Sequence, residues 1–281
     1  MTRTVAEKRA AFRALHAEGC FVLPNPWDVG GARYLQSLGF KALATTSSGF
    51  AWSRGRPDGS LPRDTTLEHL REIVSATDLP VNADFENDLA GDAEGVAESV
   101  RLAVETGVAG LSIEDSTGDA ANPLYAIDVA VARLGAARRA IDEAGGDTLL
   151  VGRAENFIVG RPDLDDTIAR LRAYSEAGAD CLYAPGIRTR EQITAVVAAV
   201  APKPVNLLVG WSGELTVKDI AELGVRRISV GGALARAAWG GFMRAALSIA
   251  NEGRFDGLAG AAPGQELNKL FRMAADERGT N

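Results

Sequence analysis

The sequence predicts a parallel α/β barrel, and three observations predict it. First, a polar segment of helical length ends at a glycine and is followed within a few residues by a short apolar run. The pattern recurs as LQSLGFKALATTSS, VETGVAGLSIED, SEAGADCLYAPG and AELGVRRISVGG. A Gly just past a helix takes the left-handed conformation that ends it. Second, the apolar runs are too short for helices and suit strands buried on both faces. Third, there are eight of them: FVLPN (21–25), ALATTS (42–47), PVNADF (80–85), GLSIED (110–115), LLVGRAE (149–155), CLYAP (181–185), PVNLLVG (204–210) and RISVGG (227–232). Strand and helix alternating eight times in 281 residues, 46% of them hydrophobic, fits one (β/α)8 barrel of the TIM type. A doubly wound open sheet is the alternative, but it rarely needs eight such even units.

Each remaining segment has a place in that scheme. Residues 1–19 read as an extra leading helix, charged and amphipathic, without the apolar core of a signal peptide. Two later helices are expected to start at capping boxes, Thr65 with Glu68 and Thr189 with Gln192. Residues 251–281 form a C-terminal appendage. No break in composition marks a second domain, so 1–281 is read as a single barrel domain.

Composition narrows the function. The net charge of −7 and the absence of a basic stripe argue against nucleic acid as a partner. No apolar run approaches the ~18 residues of a membrane span. Two cysteines do not make a disulfide framework, and a reducing, cytoplasmic location fits. His16 and His69 fall in helices, and Cys20 and Cys181 fall at the starts of strands. A cysteine nucleophile, a Cys–His pair and a zinc site are therefore disfavoured. None of the eight strands contains Lys, which disfavours a Schiff-base aldolase.

In this fold active sites lie at the C-terminal ends of the strands. Asp84, Glu86, Glu114 and Glu155 stand there with one cation, Arg153. Asp84 and Glu86 are two apart and are expected to share a strand face. Carboxylates gathered in a dry barrel mouth repel, and one would have to hold a proton. A hard cation relieves this, and Mg²⁺ suits a few carboxylates plus water and substrate oxygens. The predicted metal ligands are Asp84, Glu86 and Glu114, with Mn²⁺ as the alternative ion. The competing reading is an ion-pair network with Arg153 or a solvated acidic loop. Ser47, Ser48 and Gly49 offer hydroxyls and amides for a carboxylate or phosphate. Asn206, on the seventh strand, is a further substrate-binding candidate. Glycine-bearing loops after strands 7 and 8 suit phosphate or plain tight turns.

Together these pieces resemble the isocitrate lyase/phosphoenolpyruvate mutase superfamily over about residues 10–250. The resemblance is carried by LPNPWDVGGARYLQSLGF, TTSSGFAWSRGRPDG, PVNADFEND, GLSIED, GRAENF and EAGADCLYAPG in that order. It implies a barrel whose last helix is exchanged between subunits, usually in a homotetramer, otherwise a homodimer. It implies Mg²⁺ and a 2-oxo acid or its enolate. By position Asp84 matches the central metal-binding Asp, and Glu86 falls where many members carry a second Asp. Glu114 matches the strand-4 Glu, Ser48 and Gly49 the carboxylate-holding Ser-Gly, and Arg153 the Arg that clamps the oxo acid. Asp58 matches an acid at the end of the strand-2 loop. Asn122 matches the Asn of the gating loop in the P–C bond enzymes.

The departures bear on the reaction. The stretch after Glu114, EDSTGDAANPLYAID, lacks the Lys-Arg-Cys-Gly-His motif of the isocitrate lyases. Ala120 replaces the gating-loop Lys of the P–C enzymes, and Glu155 replaces the usual strand-5 Asp. Loss of CO₂ needs no base to start it, whereas retro-aldol cleavage does. The expectation is therefore a Mg²⁺-dependent C–C lyase for a small 2-oxo or 2-hydroxy carboxylic acid, with decarboxylation of an oxaloacetate-like acid favoured over methylisocitrate-type cleavage. Arg153, Glu155, Asp58 and Asn122 are the catalytic candidates, with Tyr125 a further candidate base. Residues Ser116 to Tyr125 are read as a lid. The competing functions are a P–C mutase or hydrolase, a phosphate-binding aldolase or synthase, and a non-catalytic barrel that binds an oxo acid.

Overall fold

The computed structural model describes residues 2–86 and 92–278. Asn87 and Asp88, the last letters of VNADFEND, lie outside them. The elements run α1 (Val5–Ala17), β1 (Phe21–Leu23), α2 (Val29–Ser37), β2 (Leu43–Ala44), α3 (Ser47–Ser53), α4 (Arg63–Ala76) and β3 (Val81–Asp84). They continue α5 (Ala93–Glu105), β4 (Gly110–Glu114), α6 (Ile127–Glu143), β5 (Leu149–Arg153), α7 (Leu164–Glu176), β6 (Cys181–Tyr183) and α8 (Arg190–Val200). Last come β7 (Val205–Leu208), α9 (Val217–Glu222), β8 (Arg227–Ser229), α10 (Ala233–Glu252), a 3-10 turn (Asp256–Leu258) and α11 (Gly264–Arg278).

The strands are parallel and neighbour one another in the order β1-β8-β7-β6-β5-β4-β3-β2. The seam between β1 and β2 is bridged where Ala44 N donates to Pro24 O at 3.1 Å. The eight expected strands thus close into a TIM-like barrel, each shorter than its apolar run. The interior of the wall is apolar, with Leu43, Leu111, Leu150 and Leu182 buried against Ile73, Val100 and Leu171 from the surrounding helices. Gly152 on β5 is required by a close approach, because a Cβ there would lie 2.9 Å from Tyr174 Cβ on α7.

Helix α1 plugs the N-terminal end of the barrel. Its Phe12 is fully buried with Phe21, Ala109 and Leu149, and its Lys8 Nζ donates to the carbonyls of Val74 and Thr77 at 2.9 and 2.7 Å. Those carbonyls end α4, where a cation also meets the negative end of the helix dipole.

Three expectations need correction. β3 ends at Asp84, and Glu86 lies past it with φ 26°, so the two do not share a strand face. TTSSGF is not a loop: Thr46 caps Gly49 N, and α3 starts at Ser47. The capping box at Thr65 is absent, because Pro62 already sets an extended residue and the helix begins at Arg63, which places Thr65 inside its first turn. The box at Thr189 and Gln192 is present, and so is one at Thr216 whose partner is Asp219 rather than Glu or Gln. The C-terminal appendage reaches back over the barrel. The 3-10 turn packs on α10, and α11 returns to α2, where Phe271 faces Gly30.

Helix α10 differs from the others. Of its 20 residues only Ala235 is buried, while Trp239, Phe242, Met243 and Leu247 are exposed. The other long helices of the ring lay an apolar stripe on the strands.

Candidate active site

Register carries the chemistry to one end of the barrel. Glu114 closes β4 directly opposite Arg153 on β5, and Arg153 in turn faces Tyr183 on β6. Asp84 closes β3 one strand further round. Arg153 sits at the centre. Its Nη1 lies 3.0 Å from Asp84 Oδ1 and 3.1 Å from Glu114 Oε2, its Nε pairs with Glu155 Oε1, and its guanidinium lies 5.2 Å from the Tyr183 ring centroid. The other carboxylate oxygen of Asp84 accepts from both the amide and the hydroxyl of Ser47, at 3.1 Å each. The first turn of α3 is thereby tied to the end of β3.

The electrostatics follow from one cation among several acids. Burial, then repulsion by Asp84, pushes Glu86 up to about 8, against a bond from Ser47 that opposes it. Burial raises Glu114 well above the ordinary carboxylate range, although Arg153 pulls it down, and Glu155 is raised in the same way. Burial also pushes Tyr183 up to about 12. A buried cluster of carboxylates with a single guanidinium retains protons that a second cation would displace.

Asp84, Arg153 and Tyr183 open on a cavity of about 170 Å³ that is also lined by Ser47, Ser48 and Asp58 among others; Glu86, Glu114 and Glu155 are not on its wall. Gly49 sits behind it in the first turn of α3, where a Cβ would fall 2.8 Å from Thr46 Cγ2 and 3.0 Å from Trp27 Cβ. The larger cavity, about 1040 Å³, is an open groove between residues 121–124 and 160–166 and carries none of the clustered acids.

The remaining candidates lie elsewhere. Asn206 is fully buried below the mouth, donating to Ser229 Oγ at 2.9 Å and accepting from Arg227 Nε at 2.9 Å. Asn122 is exposed in the loop after β4, its amide bonded to Asp119 O. That loop is a compact hairpin, closed by an antiparallel bridge between Ser116 and Leu124 and by Thr117 N donating to Pro123 O at 3.0 Å. Tyr125 is committed to other partners: Arg133 lies 4.5 Å from its ring centroid, and its carbonyl accepts from Arg170. Cys20 and Cys181 are free thiols at the N-terminal end of the barrel, as expected. His16 is buried on α1, and His69 stacks on Phe50 with ring centroids 3.7 Å apart.

Sequence reasoning missed the group that holds Glu155. Asp115 is buried, and its Oδ1 accepts from Glu155 N at 2.8 Å. Its Oδ2 accepts from Arg170 Nη1 at 3.0 Å and from Tyr174 OH at 2.5 Å. The available signal was Asp166, Arg170 and Tyr174 at successive four-residue spacing on α7, which places them on one helix face.

Comparison with known proteins agrees with this geometry. Residues 12–250 match the phosphoenolpyruvate phosphomutase family. The chain belongs to the phosphoenolpyruvate mutase/isocitrate lyase superfamily. Within it, an oxaloacetate decarboxylase of Rhodopseudomonas palustris (strain BisB18) is 31% identical over 283 residues, covering 98% of this chain and 92% of the relative. A candidate lyase/mutase of Burkholderia cenocepacia J2315 superposes with a TM-score of 0.92 at 50% identity, covering 95% of this chain and 97% of that one. A phosphonopyruvate hydrolase solved with oxalate and Mg²⁺ superposes with a TM-score of 0.81 at 29% identity, covering 99% of each chain. The superfamily accounts for the barrel and its leading helix.

The residues at the mouth are compatible with a hard cation. Their donors are carboxylate oxygens, and burial before anything else holds Glu86, Glu114 and Glu155 above the ordinary carboxylate range. Among the described residues no three His, Cys, Asp or Glu side chains form a ready-made ligand cage.

Proposed function

We propose that this protein is a Mg²⁺-dependent carbon–carbon lyase for a small 2-oxo or 2-hydroxy carboxylic acid, acting through an enolate, with decarboxylation of an oxaloacetate-type acid its favoured reaction. The observation that carries this reading is Arg153 held among Asp84, Glu114 and Glu155 at the edge of the cavity that Ser48 lines. The likeness to oxaloacetate decarboxylases supports the same reaction class.

Asp84, Glu86 and Glu114 would hold the ion, Mg²⁺ or in its place Mn²⁺. Bound there, it would polarise the carbonyl of the oxo acid as a Lewis acid. The chain's own residues do the rest. Arg153 presents positive charge to the substrate carboxylate and carbonyl, and Ser48 with the amides of the α3 first turn fixes the remaining oxygens. The electron pair of the breaking C–C bond moves into the carbonyl to give an enolate, and CO₂ leaves. The enolate is favoured by positive charge already in place. No general base is needed for that step. A proton then reaches the former carboxyl-bearing carbon. For a 2-hydroxy acid a base must first take the hydroxyl proton, and of the candidates Glu155 and Asp58 are the ones beside Arg153 or on the cavity wall. The hairpin from Ser116 to Tyr125, with Asn122, serves as the lid that excludes water.

The exposed apolar face of α10 supports exchange of that helix with a second copy of the chain, as a homodimer or a homotetramer built from such pairs. Free cysteines support a cytoplasmic location. No helix among the described residues is long and apolar enough to cross a membrane.

The test is pyruvate release with and without Mg²⁺ from oxaloacetate, methylisocitrate, dimethylmalate and phosphonopyruvate, with Asp84→Ala as the control. Mg²⁺-dependent pyruvate from oxaloacetate that the variant loses is the expected result. Release from phosphonopyruvate alone would move the reading to P–C cleavage. Binding of an oxo acid without turnover across the panel would leave a binding protein and sink the lyase.

A further inference from the structure

Arg227 begins β8 near the end of the barrel that α1 plugs, and it is 2% exposed. Its guanidinium is surrounded by neutral groups. Nε donates to Asn206 Oδ1 at 2.9 Å, while Nη1 lies 3.4 Å from Asn82 Oδ1 and 3.3 Å from His16 Nε2. Burial pushes His16 down to about 3, so that ring is neutral. Among the described residues no carboxylate is paired with Arg227; the buried Arg153 and Arg170 each have carboxylates within ion-pair distance. Taking an ion out of water costs roughly several kcal/mol unless an opposite charge and hydrogen bonds repay it. Arg227 has the hydrogen bonds and lacks the charge.

The cavity that opens at Ser48, Asp84 and Arg153 is also lined by Arg227. Between the two ends its wall is made by Ala44, Asn82, Ser112, Leu208 and Ser229, all small or uncharged. An anion that enters the mouth therefore meets no competing acid on its way to the floor.

We infer that Arg227 is the floor of the substrate cavity and receives a second carboxylate of the substrate, one that the reaction retains. The inference rests on the reading of the barrel mouth as an oxo-acid site. A carboxylate leaving as CO₂ must release its electron pair into the enolate, and an ion pair opposes that release. The floor carboxylate is therefore not the leaving group. For a decarboxylation, the bond between C3 and the departing carboxyl group breaks, its electrons form the enolate and CO₂ leaves, while a further carboxylate carried on a C3 side chain stays on Arg227 with the product. The substrate class is a 2-oxo or 2-hydroxy acid that carries, besides any carboxyl group lost as CO₂, a further acid group that the reaction retains.

Calorimetry on the full-length protein with Mg²⁺ tests this with three stable probes. Oxalate reaches only the mouth. 2-Oxovalerate and 2-oxoglutarate share a five-carbon 2-oxo acid backbone and differ only in the far end, methyl against carboxylate. Wild type is expected to bind 2-oxoglutarate about tenfold or more tighter than 2-oxovalerate, the scale of a charge-assisted hydrogen bond. Arg227→Gln should erase that ratio while oxalate binding is kept, and Arg227→Lys should keep part of it. Equal binding of the two long acids by wild type overturns the inference, with no variant needed. A ratio that survives in Arg227→Gln also overturns it, and with a lowered Tm leaves Arg227 as only a fastening between α1 and the barrel. Failure of wild type to bind oxalate would instead remove the oxo-acid reading of the mouth, and this inference with it.

Discussion

Arg153 Nη1 lies 3.0 Å from Asp84 Oδ1, so the site's guanidinium occupies a carboxylate oxygen that a metal ion would need. If an ion binds at Asp84, the two cations compete for one ligand. Replacing Arg153 by Gln should tighten Mg²⁺ binding, on the order of tenfold or about 1.4 kcal/mol, while turnover falls. Calorimetric titration of Mg²⁺ into both proteins measures it. Weaker Mg²⁺ binding in Arg153→Gln would mean that Arg153 supports the ion site instead of competing with it.

Asp115 anchors Glu155 from behind, through Glu155 N, Arg170 and Tyr174. Asp115→Asn leaves a buried guanidinium without one of its two carboxylates. Breaking such a pair costs roughly 3–5 kcal/mol, which urea unfolding would read directly. Arg170 keeps Asp166, so the lower end of that range is expected. A change below about 1 kcal/mol, the scale of an exposed ion pair, would contradict this role.

His16 makes acid stability predictable in sign. Burial, then the nearby Arg227 charge, lowers its pKa from 6.5 to about 3 in the folded chain. A base with a depressed folded pKa favours the native state fully above its unfolded value, and the contribution is lost as pH falls from 6.5 toward 3. The slope reaches about 1.4 kcal/mol per pH unit. His69, lowered to about 4 by burial, adds in the same direction. Urea unfolding at pH 7 and pH 5 should show His16→Gln losing less stability than wild type on acidification. An equal loss would remove His16 from the account.

Phe242 is 64% exposed on α10 and stacks edge-on to Trp239 with ring centroids 5.4 Å apart. If α10 is exchanged between subunits, Phe242→Asp buries a charge in that interface. Light scattering after size exclusion should show the assembly dissociating toward a monomer. An unchanged mass would argue that this face is not the contact.

The barrel was legible because burial on both faces writes itself into eight short apolar runs, and glycine marks the helix ends before several of them. Asp84, Glu114 and Arg153 were legible for a related reason: each is the last residue of its strand, and this fold keeps its chemistry at that end. Glu86 was misread. Alternation along a strand assumes extended backbone, and the chain leaves it at φ 26°. Asn206 lies on the expected strand, and its full burial was not legible, since a residue name does not say how far below the mouth it points. Asp115 went unassigned because its partners Arg170 and Tyr174 are 55 and 59 residues away.

The sequence by itself determined the alternation of strand and helix, the barrel it implies, and the collection of acids with one arginine at its mouth. These are properties of local pattern and of strand ends. Only the tertiary structure decided which acids share Arg153, that Arg227 lies buried with no carboxylate paired to it among the described residues, and that one cavity connects the two arginines. Charge pairing depends on distances of about 3 Å between residues from different strands, and those distances exist only once the sheet has closed.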